Sequence, residues 1–126
     1  MCTSPTIRII KHKDGSTNTY ETPCGRCYDC VMQRRTQLYV RNKIEFDTHL
    51  NSYFITLTYN DENIQKLPYN ELAQLYEHPR IEIQLFFKRL RKKYGYCRYF
   101  YCSEYGDTTL RPHYHVLLYT NDHLSL

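Results

Sequence analysis

Arg111-Pro112-His113-Tyr114-His115-Val116-Leu117-Leu118-Tyr119 is the stretch that decides how this chain folds and where its chemistry sits. Side chains along a strand alternate between two faces, so His113 and His115 share one face while Tyr114, Val116 and Leu118 share the other. Two imidazoles side by side on a pleated surface can clamp a metal ion; the plainer alternative is two polar residues on a solvated face. Outward from this run, residues 53–59 (Tyr-Phe-Ile-Thr-Leu-Thr-Tyr) form a second strand rich in β-branched and aromatic residues, closed by the turn-forming Asn60-Asp61. A third strand, residues 97–102, runs directly into Ser103-Glu104-Tyr105-Gly106-Asp107. Glu104 then stands at a strand end, and a hairpin through the Gly-containing turn brings its carboxylate alongside the histidines. One carboxylate and two imidazoles suit an open site for Mg²⁺ or Mn²⁺, with positions left for phosphate oxygens.

The remaining elements predict an α+β fold. Residues 6–12 and 17–22 read as a hairpin around Asp14-Gly15. A helix is predicted over 29–48, with Leu38, Val40, Ile44 and Phe46 apolar and Arg34, Arg35, Arg41 and Lys43 as its basic face. Another is predicted over 80–94, with Ile81, Leu85, Phe86 and Leu90 as its buried stripe and Gly95 as its stop. Residues 61–79, which include Pro68 and Pro79, read as a loop with a short helix at 70–76. Together these give an antiparallel sheet with helices on one face. Ile55, Leu57, Val116 and Leu118 would face the helices, and Thr56, Thr58, His113 and His115 would line the open face.

With 126 residues, 41% of them hydrophobic, the chain can bury one core but not two, and residues 1–126 read as a single domain. No apolar run approaches a membrane span and the N-terminus lacks the apolar stretch of a signal peptide, so a soluble intracellular protein is the default. A net charge of +4 is modest, but Arg80, Lys88, Arg89, Arg91, Lys92, Lys93 and Arg98 face only Glu82 in their segment. Such a basic band interleaved with aromatics suits a phosphate backbone; a solvated helix face is the plainer alternative. Tyr94, Tyr96, Tyr99 and Tyr101 are predicted to be half-buried or to stack on bases.

Cys24, Cys27 and Cys30 follow C-x₂-C-x₂-C spacing, and the hairpin would fold Cys2 back opposite about residue 27. Four thiolates clustered in an intracellular chain bind metal more often than they form disulfides. Zinc is the first occupant to consider, an iron–sulfur cluster fits the same spacing, and reduced cysteines that merely pack remain open. Cys97 and Cys102, five apart on one strand, face opposite ways and read as bystanders.

Phe54-Ile55-Thr56-Leu57-Thr58, Glu104-Tyr105-Gly106 and Arg111-Pro112-His113-Tyr114-His115, in that order, resemble motifs I and II of the HUH endonucleases that initiate rolling-circle replication. The likeness is greatest to the replication initiators of small single-stranded DNA phages, the microviruses of the gokushovirus type. It takes in Pro23-Cys24-Gly25-Arg26-Cys27-Tyr28-Asp29-Cys30 and Phe87-Lys88-Arg89-Leu90-Arg91-Lys92 as well, and so runs from Cys2 to Tyr119.

The resemblance implies a ferredoxin-like sheet, with residues 1–30 as a Cys-rich hairpin segment and 31–126 as the catalytic-type core. It also implies that Glu104, His113 and His115 hold Mg or Mn, that Lys88, Arg89, Arg91, Lys92 and Lys93 with Arg34 and Arg35 hold the strand, and that a tyrosine attacks the phosphate to leave a 5′-phosphotyrosyl link. The implied partners are single-stranded DNA at a replication origin and host replication proteins, in the cytoplasm of a bacterial host and not at a membrane. The family's nucleophile lies on a helix after the His-x-His strand, yet only residues 120–126 follow Tyr119 and none is tyrosine. The expectation is therefore a C-terminally incomplete domain whose nucleophile lies beyond Leu126. Tyr28 or Tyr39 would be the substitute if the motif order were that of a relaxase. Two rival readings are a non-catalytic origin-binding module and a zinc-dependent binding module in which His-x-His is structural.

Overall fold

The computed structural model describes residues 1–125 and runs β1 (Thr6–Lys11), β2 (Thr17–Thr22), α1 (Tyr28–Thr48), β3 (Asn51–Thr58), α2 (Asp61–Ile64), β4 (Tyr69–Asn70), β5 (Leu75–Tyr76), α3 (Arg80–Tyr94), β6 (Cys97–Tyr105) and β7 (Pro112–Thr120). The chain is α+β, its sheets are antiparallel, and it divides into two units, Met1–Lys43 and Ile44–Leu126. Among the described residues no helix is long and apolar enough to cross a membrane.

In the second unit the strand order is β3-β7-β6, so the His-x-His strand is the centre of the sheet and both its neighbours are antiparallel to it. The alternation predicted from sequence holds. Val116 and Leu118 are fully buried and Tyr114 nearly so, packed with Ile83, Phe87 and Leu90 of α3, with Cys97 and with Leu124. Ile55, Leu57, Tyr99 and Tyr101 pack against this cluster, and the Phe87 ring stacks on Tyr99 with centroids 3.5 Å apart. Each large apolar side chain withdrawn from water here contributes roughly 1.5–3 kcal/mol.

Four expectations need correction. The buried stripe of α3 is Ile83, Phe87 and Leu90, whereas Ile81 is 54% exposed and Leu85 38%. The helix is apolar at 81, 83, 85, 86, 87 and 90, too wide an arc for one contact face, and the stripe at 83, 87 and 90 is the one the sheet selects. On α1, Val40, Ile44 and Phe46 are exposed and Cys30 is the buried residue, because at 100° per residue the four apolar positions never share a stripe. Residues 70–76 are not helical. They form the β4–β5 ladder, in which Asn70 Oδ1 accepts from the Ala73 backbone N–H and Gln74 takes a positive φ of 53°. The short helix lies earlier, at α2, where the Asn60 side chain caps it by accepting from the Asn63 N–H at 2.8 Å.

Fourth, the helices do not all lie on one face. α3 covers the Tyr114/Val116/Leu118 face, but Glu45, near the end of α1, pairs with Arg98 at 2.7 Å, and His49 lies against Tyr119. Arg98 and Tyr119 are partners on the histidine face, and Tyr119 is only 4% exposed, so a large ring there requires cover. At the opposite end of α3, Gly95 takes a φ of 88° and its N–H closes onto the Arg91 carbonyl, as the sequence stop predicts. Tyr96, expected half-buried, is 67% exposed just beyond that stop.

In the first unit, β1 and β2 pair with Thr6 opposite Thr22 and Lys11 opposite Thr17, the hairpin predicted around Asp14-Gly15. Every residue of β1 is exposed, as are all of β2 but Thr22. This unit has almost no apolar core.

Candidate metal centre

Register brings the site together. Three cross-strand rows lie side by side on one face of the second unit: Thr58–His113–Glu104, Thr56–His115–Cys102 and Phe54–Leu117–Phe100. Glu104 Oε2 stands 3.0 Å from His115 Nε2 and 3.6 Å from His113 Nε2. One ligand atom from each of the three residues lies within 4.8 Å of the others. The side chains of His113 and His115 are 19% and 29% exposed and that of Glu104 is 60% exposed, so the group opens to solvent on the carboxylate side.

The other nitrogen of each ring is held from behind. His113 Nδ1 lies 3.3 Å from the Arg111 carbonyl oxygen, which can only accept, so in the neutral ring Nδ1 carries the hydrogen and Nε2 keeps its lone pair. His115 Nδ1 lies 3.1 Å from the Thr56 hydroxyl, and the Phe54 ring stacks on this imidazole at 5.5 Å. Orienting partners on the far nitrogen are what fix the tautomer and aim of metal-binding histidines. Arg111 is itself anchored by donating to Asp61 at 2.6 Å and to the Tyr59 carbonyl at 2.7 Å, which ties the start of β7 to the end of β3.

Sequence reasoning named Glu104, His113 and His115, and the fold brings all three together. It missed His78, whose Nε2 lies 2.8 Å from the Glu104 carbonyl and whose ring packs on Tyr105 and Tyr114. A loop residue brought in by tertiary packing leaves no local signal. It also missed Phe54 and Phe100, 69% and 36% exposed in the row beside the histidines. Their signal was available, since both share the even-odd phase that places them on the histidine face.

The predicted basic residues are divided. Lys88, Arg89, Arg91, Lys92 and Lys93 belong to α3 and therefore to the layer behind the sheet, not to the histidine face. Arg91 donates through Nε and Nη2 to the Cys97 carbonyl, with its guanidinium over Tyr99, and Lys93 sits over Tyr94. Arg80, Arg91 and Arg98, with Tyr96 and Phe100, line a groove of about 550 Å³ beside β6. Arg34 and Arg35 are exposed on α1 in the first unit.

The strand tyrosines of the second unit point away from the histidines. Tyr53, Tyr99, Tyr101 and Tyr114 face α3, and Tyr119 shares the histidine face but is buried. Burial pushes the Tyr114 hydroxyl well above the ordinary tyrosine range, reinforced by its hydrogen bond with Tyr59. Tyr28 and Tyr39 are 77% and 68% exposed on α1.

The first unit holds a second group. Cys2, Cys24, Cys27 and Cys30 each bring a sulfur within 4.8 Å of the others, with Cys24–Cys30 at 4.0 Å and Cys2–Cys27 at 3.9 Å. Backbone hydrogen bonds from Thr3 and Cys30 bring the Cys27 thiol down to about 6. Cys30, although a backbone hydrogen bond from Gly25 favours its thiolate, is pushed up to about 12 by Cys27 and by burial. Four thiols this close share their ionisation as a set.

The family model for the replication-associated protein ORF2 matches residues 52–126, which include all three sheet strands but for Asn51, and the Glu104/His113/His115 group. The replication-associated protein ORF2 of Spiroplasma virus 4 is 34% identical over 103 residues, covering 77% of this chain and 31% of that protein. The replication-associated protein VP4 of Bdellovibrio phage phiMH2K is 31% identical, over 80% of this chain and 32% of its own length. The replication-associated protein ORF4 of Chlamydia phage 1 is 26% identical, over 80% of this chain and 24% of its own. The chain thus spans a quarter to a third of the length of these curated relatives. No solved structure matches it.

Proposed function

The chain belongs to the replication-associated protein ORF2 family, and from that premise we propose that it acts in phage DNA replication as the metal- and strand-binding part of an HUH-type rolling-circle initiator. The observation that carries this reading is the convergence of Glu104, His113 and His115, their far nitrogens held, beside an exposed aromatic row on one sheet face. Two imidazole nitrogens and one carboxylate oxygen fit a divalent ion such as Mg²⁺ or Mn²⁺ and leave half of an octahedral shell for water and phosphate. An ion held there supplies polarisation of a scissile phosphate and offsets charge on the departing 3′-oxygen.

The chain's own residues supply the rest. Phe54 and Phe100 offer ring faces on which unpaired bases stack, next to the row that holds the phosphate. Phe100 continues into the groove of Arg80, Arg91 and Arg98, which gives the backbone a basic path beside β6. His78 holds the Glu104 backbone and the Arg111–Asp61 pair holds the start of β7, so the ligands are positioned before DNA arrives. Cations of α3 lie behind the sheet and contribute long-range attraction, and Arg34 and Arg35 a separate basic face. We take the three strands as part of a ferredoxin-like sheet and the whole chain as one initiator domain, with residues 1–30 as its appended hairpin.

The tyrosine that attacks the phosphate, leaving a 5′-phosphotyrosyl link, comes in this reading from outside residues 1–126. A non-catalytic single-strand-binding module is the second reading, favoured by the strand tyrosines all being buried or turned to the core face. A labelled origin oligonucleotide, Mn²⁺ and a denaturing gel test the two. The 126-residue chain should bind the oligonucleotide without a covalent adduct, and a chain extended to the relatives' length should form one that His113→Ala abolishes. An adduct from the short chain that Tyr28→Phe or Tyr39→Phe removes would place the nucleophile on α1 instead, and no adduct from the extended chain would favour the binding module.

A further inference from the structure

We infer that Cys2, Cys24, Cys27 and Cys30 bind one Zn²⁺ in a closed tetrathiolate site, and that this ion serves as the core of the first unit. Four thiolates at about 2.3 Å from a tetrahedral zinc lie about 3.8 Å from one another. The Cys24–Cys30 and Cys2–Cys27 sulfur separations of 4.0 and 3.9 Å have that scale, and all four cysteines are free. A disulfide would need about 2.05 Å between its sulfurs and would leave the second pair in no particular relation to the first.

The backbone is arranged for sulfur that carries charge. The Arg26 and Cys27 N–H groups donate to Cys24 Sγ at 3.4 and 3.3 Å, and the Cys24 N–H donates to Cys2 Sγ at 3.2 Å. Gly25 makes the turn that aims two consecutive N–H groups at one sulfur, and its φ of 74° is where a side chain would be strained. The Arg34 guanidinium lies 3.3 Å from where a Cβ on Gly25 would stand, and its charge offsets part of the net −2 of a zinc tetrathiolate.

Packing gives the ion its role. Cys30 is the one buried residue described in the first unit, while Ile7 and Ile9 are each 64% exposed and Ile10 is 50%. A lone two-stranded ladder is marginal in water, and a unit this small with so little buried apolar surface requires a staple. The cluster joins the segment before β1, the segment after β2 and the first turn of α1, the three points that must be fixed for the hairpin to hold its place within this unit. With all four positions filled by thiolates no site remains for substrate, which makes the ion structural.

The test uses the full chain purified without chelator. Elemental analysis should give one zinc per chain, and exchange into Co²⁺ should produce the strong thiolate-to-cobalt absorption of a tetrahedral sulfur site. Iodoacetamide should label Cys102 and spare the four cluster cysteines until a strong chelator is added. The His113→Ala/His115→Ala variant should keep its zinc, which separates this ion from one at the sheet site. Substoichiometric zinc with the cluster cysteines labelled as fast as Cys102, or iron in zinc's place, would overturn the assignment.

Discussion

Each unit of the molecule gathers ligand-type side chains, and the two groups differ in donors, closure and surroundings. In the first, four sulfurs fill a tetrahedron inside a unit that buries almost nothing else. In the second, two nitrogens and an oxygen occupy one side of a shell, on a sheet whose other face includes the fully buried Val116 and Leu118. The contrast teaches that clustering alone does not define a site's work. Soft donors that close the shell substitute for a core, whereas mixed donors that leave the shell open can be structurally idle because α3 already holds the sheet.

The largest effect should come from stripping the cysteine cluster. Structural zinc sites bind with on the order of 10 kcal/mol, more than an exposed hairpin can replace. Chelation, or Cys24→Ser with Cys27→Ser, should open Arg8, Lys11 and Lys13 to trypsin while residues 44–125 stay resistant. A hairpin that survives without metal would erase the contrast. Next in size is Phe87→Ala, which removes the ring stacked on Tyr99 and should cost about 3–5 kcal/mol in urea denaturation. Its zinc content should not change; loss of zinc together with the core would mean that the two units do not fold separately.

A smaller effect is expected on the open face. Phe54→Ala and Phe100→Ala should each weaken single-stranded DNA binding by about 1–3 kcal/mol, measured by fluorescence anisotropy. Lys88→Ala with Lys92→Ala, behind the sheet, should do less and act mainly by flattening the salt dependence. The reverse ranking would move the DNA to α3. The smallest effect concerns Tyr114, whose hydroxyl is harder to ionise folded than unfolded. Stability is then intact below the ordinary tyrosine value of 10.0 and is lost as pH rises beyond it. Tyr114→Phe should shift the midpoint of alkaline unfolding upward, and an unmoved midpoint would assign the transition to other groups.

The sheet and the Glu104/His113/His115 group were legible because a strand's period of two is unambiguous where polar and apolar residues alternate, and because a short hairpin leaves Glu104 few places to go. Helix faces were not. Six apolar positions on α3 admit several stripes, and only Val116 and Leu118 on the facing strand select Ile83 and Phe87. The 70–76 turn was missed because it contains neither glycine nor proline and depends on the Asn70 side chain and a left-handed Gln74. Phe54 and Phe100 were readable from their phase with His115, although the many tyrosines around them mask that signal. His78 and the cover that Glu45 and His49 give to Arg98 and Tyr119 are tertiary and have no counterpart in local sequence.

The open site is tested most directly by Mn²⁺ binding to zinc-loaded protein, followed by electron paramagnetic resonance and calorimetry, for the wild type and for His113→Ala/His115→Ala. The wild type should bind one Mn²⁺ with nitrogen in its coordination shell. The variant should bind none while keeping its zinc and, within about 1 kcal/mol, its stability. Equal Mn²⁺ affinity in the two proteins would contradict a metal centre at Glu104, His113 and His115.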